Sequence, residues 1–203
     1  LYKRIFKIVF SIENNLIDKI IIRDLLRYGM HTFVSGILFS MMMLVVRMQI
    51  INNLDLNYAG IWEAAMKIGI YFNMIFILPI SVQYLPLFSS AKKGRDFLKY
   101  LKQIFSFLLP IMVFSALFIF SLRELIIISL FDKEFIIASN FVIFILIAEI
   151  LRVLGMVFAN LLIGKKKLVN NILNEFLMAL TFIVLTLKYF SNDLNMVIYA
   201  YVF

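Results

Sequence analysis

The chain has 203 residues, 64% of them hydrophobic, with a mean hydropathy of +0.99 and a formal net charge of +8. A soluble domain is about half apolar, so this composition excludes a water-soluble globule and predicts an all-α, polytopic membrane protein: its charge-free runs of about twenty residues are long enough to cross a hydrocarbon core of roughly 30 Å as helix. The runs are apolar on all sides rather than alternating, which excludes a transmembrane β-barrel.

Residues 1–30 set Tyr2, Ile5, Phe6 and Val9 among Lys3, Arg4, Lys7, Lys19, Arg23 and Arg27. This pattern predicts a cytoplasmic basic amphipathic linker lying on anionic headgroups. Residues 31–203 predict one transmembrane bundle of about six helices, the last of them cut short. The first span covers about Thr32 to Ile51, the second Gly60 to Ser89 and the third Gln103 to Leu122. The apolar piece Leu125–Phe131 is too short to cross and is expected in the interface. The fourth span runs from about Phe135 to Gly164, the fifth from Leu168 to Leu187, and the sixth begins near Leu194. Pro79, Pro86 and Pro110 all fall within spans, where they predict kinks that neighbouring helices re-satisfy.

Loop charge sets the orientation. Of the 20 Lys and Arg, six precede the first span, five (Lys92, Lys93, Arg95, Lys99, Lys102) follow the second and three (Lys165–Lys167) follow the fourth. The opposite loops hold Arg123, Lys133 and Lys188. Basic loops stay cytoplasmic, so residues 52–59, 123–134 and 188–193 are expected outside. The same juxtamembrane clustering accounts for the net charge, and nucleic acid is not an expected partner.

Six ionisable residues fall inside spans: Arg47, Glu63, Lys67, Glu149, Arg152 and Glu175. Each costs about 2.5–3.5 kcal/mol on insertion scales, and their charges sum to zero. Glu63 and Lys67 are one helical turn apart (i,i+4), and Glu149 and Arg152 are spaced i,i+3, so mutual neutralisation within a bundle is one reading. Arg47 and Lys67 also have stems long enough to snorkel outward. Glu175 follows Asn170, Asn171 and Asn174, a polar face suited to helix–helix hydrogen bonds. The other reading is a wet passage, in which the cations receive an anionic headgroup and the buried carboxylates couple to protons or sodium.

Other chemistry is sparse. The chain has no cysteine, and its single His31 cannot build a histidine metal centre. No phosphate-binding G-x-x-x-x-G-K-[ST] loop, H-E-x-x-H or G-x-S-x-G occurs, so no cofactor and no enzymatic activity are expected. Beginning at Leu1 and stopping at Phe203 inside an apolar stretch, the chain reads as a fragment of a longer polypeptide.

The stretch Ala59-Gly-Ile-Trp-Glu-Ala-Ala-Met-Lys-Ile68, followed by Tyr84-Leu-Pro-Leu-Phe-Ser-Ser90, resembles the O-antigen and enterobacterial common antigen (lipid III) flippases of the multidrug/oligosaccharidyl-lipid/polysaccharide exporter superfamily. Glu63 stands where that family has Gln. Leu130-Phe-Asp-Lys-Glu-Phe135 with Ala138 is similar to a Leu-Phe-x-x-x-Phe-x-x-Ala segment, and Ala148-Glu-Ile-Leu-Arg152 to a Gly-Asp-x-x-Lys run. Arg47, Ile163-Gly-Lys-Lys-Lys and Asn174-Glu175 also fall at matching places. The resemblance covers about residues 28–203 and implies the C-terminal bundle of a two-bundle exporter in a bacterial inner membrane. Its substrate would be a polyprenyl-diphosphate-linked oligosaccharide, moved by alternating access, with Arg47, Glu63, Lys67, Glu149, Arg152 and Glu175 as candidate binding residues. Implied partners are that lipid-linked sugar, membrane lipid, a polysaccharide polymerase and a chain-length regulator. In this reading Lys67 faces the cavity and Glu63 neutralises it when substrate is absent. The rival readings are a cation-coupled drug antiporter of the same superfamily, a membrane polymerase and a non-transporting scaffold.

Overall fold

The computed structural model describes residues 19–91, 94–189, 197, 198 and 201. Residues 1–18 of the expected basic linker and the start of the expected sixth span lie outside them. Helix α1 is Lys19–Asn53, α2 is Leu56–Ser90, α3 is Gly94–Ser121 and α4 is Arg123–Leu130. A 3-10 segment, Lys133–Phe141, leads directly into α5, Val142–Gly164, and α6 is Leu168–Tyr189. Residues 197, 198 and 201 are also helical. Five of these stretches are long and apolar enough to cross a membrane, the 3-10 segment and α5 counting as one. The chain is therefore an all-α, multi-pass membrane protein.

The observed helices contain the first five expected spans, apart from Leu122, and extend past several of their ends. Helix α1 runs unbroken from Lys19 through the boundary expected near residue 30, so residues 19–30 are turns of the same helix as the first span. At about 1.5 Å per residue, its 35 residues extend roughly 52 Å, more than a hydrocarbon core requires. Helix α2 starts where the Asp55 side chain accepts a hydrogen bond from the Tyr58 N–H at 2.9 Å, which satisfies one of the first turn's free donors. Asp132 does the same for the 3-10 segment, accepting from the Lys133 N–H at 2.7 Å. Pro79 and Pro86 sit inside α2 and Pro110 inside α3, as expected. The apolar piece expected in the interface forms the short α4.

Helices α2 and α5 form the centre. In the most apolar part of α2, and of the span made by the 3-10 segment and α5, 44% of residues are buried, against 11% in α1 and 17% in α3 and α6. These two helices also make the most extensive contact in the molecule, while α6 packs chiefly on α1. The exposed flanks of the outer helices carry large apolar side chains such as Phe33, Met41, Phe107, Phe114 and Leu177, a surface suited to acyl chains or to neighbouring transmembrane helices.

Glycine sets how closely the central pair can approach. A Cβ on Gly69 would stand 2.4 Å from Ile145 Cγ2 and 3.1 Å from Glu149 Cγ. Only the missing side chain lets α5 lie at this distance, as at the small-residue contacts between membrane helices.

The ends of the helices sort by charge. At one end Lys166 pairs with Asp24 at 2.7 Å, Tyr28 Oη donates to the Ile163 carbonyl at 3.5 Å, and the Lys165 ammonium donates to the Ala91 carbonyl. The start of α1, the end of α2 and the end of α5 thus converge there. At the other end Arg47 meets Glu63, and Phe135 packs on Gly60. The turn that carries Lys165–Lys167 and the early part of α1 that carries Asp24 and Tyr28 thus meet at one end, away from the Arg47–Glu63 pair at the other.

Substitution separates close packing from helix propensity. Gly69→Ala is expected to lower the unfolding midpoint in detergent by an amount equivalent to about 1–3 kcal/mol, the usual range for overpacking. Gly155→Ala, whose Cβ would meet nothing within 4 Å, is expected to be neutral or to raise stability by up to about 1 kcal/mol. Thermal unfolding followed by circular dichroism measures both.

Candidate functional site

Glu149 is fully buried, although the bilayer offers its charge nothing. It lies on the face of α5 that α2 covers. The Asn73 amide, midway along α2, donates to Glu149 Oε2. Tyr201 Oη donates to Oε1 at 2.5 Å, and Arg152 Nη1 approaches the same oxygen at 3.4 Å. Arg152 Nη1 also donates to Tyr201 Oη at 3.0 Å. The guanidinium lies over the Phe39 ring of α1, 4.5 Å from its centroid, a cation–π contact that stabilises a partly desolvated cation. Phe182 of α6 packs edge-on against Tyr201 at 5.4 Å.

This arrangement neutralises the carboxylate from three directions. Asn73 and Tyr201 supply neutral donors, and Arg152 supplies the compensating charge. Desolvating an ion pair is tolerated only when further hydrogen bonds satisfy the remaining lone pairs, and here Asn73 and Tyr201 provide them. The expected i,i+3 pairing of Glu149 with Arg152 is present. The expected passage around Glu149 is not: the carboxylate is enclosed, and side-chain donors take the place of water. Arg152 is about a quarter exposed and reaches the edge of the cluster.

The second expected pair forms differently. Glu63 binds Arg47 of α1 at 2.9 Å, not Lys67. Both partners are substantially exposed. Spacing i,i+4 brings Lys67 within reach of Glu63, but a guanidinium from the neighbouring helix supplies a forked donor that an ammonium lacks, and it takes the carboxylate. Lys67 instead projects over Phe131, 5.7 Å from the ring centroid, and is exposed. Arg47, Glu63 and Lys67 therefore form one strip with a net positive charge along α1 and α2, toward the end of the bundle opposite the lysine-rich turns.

Glu175 belongs to a third cluster. Asn171 Nδ2 donates to Glu175 Oε1 at 2.6 Å and lies 3.1 Å from His31 Nε2 of α1. Both His31 and Asn171 are buried, so this is a polar contact between α1 and α6. The six candidate residues thus divide into three groups rather than lining one wall.

Three contributors to the Glu149 cluster were not among the candidates. Asn73 has a legible signal, a lone amide in the middle of an apolar run, where interhelical hydrogen bonds are expected. Tyr201 and Phe39 have none, because aromatic residues are common throughout the chain. Among the described residues, no group of three or more His, Asp or Glu side chains is placed to hold a metal ion.

No protein-family model, curated protein or solved structure gives a significant match to the chain.

The Glu149 cluster predicts an asymmetric response to substitution. Glu149→Leu leaves the Arg152 guanidinium without its carboxylate and is expected to destabilise the bundle by about 3–5 kcal/mol. Adding Arg152→Leu to that variant is expected to restore only part of the loss, since it removes the uncompensated charge but leaves the Asn73 and Tyr201 donors without their acceptor. Unfolding midpoints of the two single variants and the double variant, compared as a cycle, measure the coupling.

Proposed function

We propose that this chain is one helix bundle of an alternating-access exporter that flips a polyprenyl-diphosphate-linked oligosaccharide, of the O-antigen or enterobacterial common antigen type, across a bacterial inner membrane. The observation that carries this reading is the exposed strip of Arg47, Glu63 and Lys67 on α1 and α2. A charged group within a span requires water or a counter-charge beside it. Glu63 is committed to Arg47, so the strip has one positive charge in excess, held by Lys67. A lysine ammonium is a point-charge ligand for phosphate and an arginine is a forked one. A diphosphate passing between this bundle and a second one would meet both. The family resemblance of residues 59–68 and 84–90 supports the same substrate class.

A cation-coupled antiporter is the second reading, and Glu149 is the observation that favours it, as a carboxylate deep within the spans. Its counter-charge is already present in Arg152, at 3.4 Å. A cation entering there would have to displace that guanidinium, so the anionic lipid-linked substrate is the better match to the charges present.

The test uses the full-length protein in cells that depend on it for surface polysaccharide. Lys67→Ala is expected to reduce surface polysaccharide about tenfold, as loss of one charge-assisted contact implies, while Lys67→Arg retains most of it. Normal polysaccharide from Lys67→Ala at an unchanged protein level overturns the reading.

A further inference from the structure

The turn between α5 and α6 carries three consecutive lysines, and its backbone sends them to different sides. The Lys167 N–H donates to the Leu162 carbonyl at 2.8 Å and the Lys166 N–H to the Ile163 carbonyl at 2.9 Å. This is the paired bond of a Schellman helix end, which requires a left-handed residue between them. Lys166 occupies that position, with φ 58°, where glycine or asparagine is usual. Its ammonium turns to Asp24 of α1 at 2.7 Å, and that hydrogen bond holds Lys166 above the ordinary lysine range.

Lys165 and Lys167, on either side, both line a crevice of about 290 Å³. Ala91, Gly94 and Phe97, from the end of α2 and the start of α3, close it on one side, and Leu162 of α5 contributes to its floor. The Lys165 ammonium donates to the Ala91 carbonyl, and two of its three N–H donors remain for another acceptor. The crevice therefore has an apolar floor and a cationic rim. It opens at the end of the bundle where Lys165–Lys167 meet the early part of α1.

We propose that this crevice binds an anionic phospholipid of the leaflet it faces, with the phosphate on Lys165 and Lys167 and the first methylenes against Phe97 and Leu162. The chemistry distinguishes it from an ordinary solvated cluster: a soluble anion gains nothing from an apolar floor, and a zwitterionic lipid gains little from two ammonium groups. About 300 Å³ is the lower limit of small-molecule pockets, enough for a headgroup, while the acyl chains stay in the bilayer. Through Lys165 the bound phosphate joins the end of α2 to the end of α5. The site is independent of the transport reading, since the lipid is resident and nothing is carried.

Native mass spectrometry of the full-length protein in neutral detergent, titrated with phosphatidylglycerol or phosphatidylcholine, tests it. Phosphatidylglycerol is expected to bind more tightly. At about 1 kcal/mol per juxtamembrane lysine, Lys165→Gln with Lys167→Gln should weaken its binding about 30-fold. Arg23→Gln with Arg27→Gln removes equal charge from the Asp24 side and should leave binding unchanged, and Lys165→Arg with Lys167→Arg should retain it. Equal affinity for the two lipids, equal weakening by both glutamine pairs, or displacement of the lipid by inorganic phosphate would each overturn the proposal. If the lysine-to-glutamine pair does not fold, Leu162→Trp, which fills the crevice, replaces it, and an undiminished preference for phosphatidylglycerol overturns the proposal in the same way.

Discussion

The fold turns on the contact between α2 and α5, where a glycine and a buried carboxylate depend on each other. Gly69 lets the two backbones approach, and that approach seals Glu149 from both water and lipid. Once sealed, the carboxylate is tolerable only with its donors in place, so Asn73, Tyr201 and Arg152 are drawn to one point. Phe39 then covers the outer face of Arg152. In lipid the gain from association between apolar helices is small, and packing with interhelical hydrogen bonds specifies which helices meet. The Glu149 cluster draws residues of α1, α2 and α5, and Tyr201 further along the chain, into a single connected set.

Much of this architecture was legible in the sequence, for a definite reason. Membrane spans are set by a one-dimensional property, the length of chain without charge, so Gln103–Leu122 and Leu168–Leu187 could be read directly and lie almost wholly within observed helices. The pairing of charges was legible only in part. Glu149 and Arg152 share a helix, and their spacing suffices. Glu63 had two cationic candidates in reach, one on its own helix and one on the preceding helix, and spacing along α2 holds no information about Arg47. Tyr201 was out of reach for the same reason, being brought to Glu149 across 52 residues of chain. The boundary expected near residue 30 is absent: basic residues suggested a separate surface segment, whereas Arg23 and Arg27 are borne on the extended end of α1.

The two ends of the bundle use charge differently. At one end Lys165 donates to the Ala91 carbonyl and Lys166 pairs with Asp24, contacts at helix termini that tie α5 to α2 and to α1. At the other, charge lies on the helix flanks themselves, where Arg47 and Lys67 are exposed within the spanning length. Charge at a terminus orients a helix; charge on a flank within the bilayer implies something polar alongside it. This contrast separates residues that tie helix ends together from those on the flank proposed to meet an anionic substrate.

The position of Tyr201 in the chain also bears on how the molecule is made. Ribosomes deliver α2 before α5, so Asn73 is already present when Glu149 enters the bilayer, and Arg152 follows within one turn. The phenolic hydroxyl emerges 52 residues later. Throughout that interval the carboxylate has only part of its final complement of donors. Translation must therefore reach Tyr201 before the Glu149 carboxylate gains its full set of donors, so the centre of the bundle closes only after the chain well beyond α5 has been made.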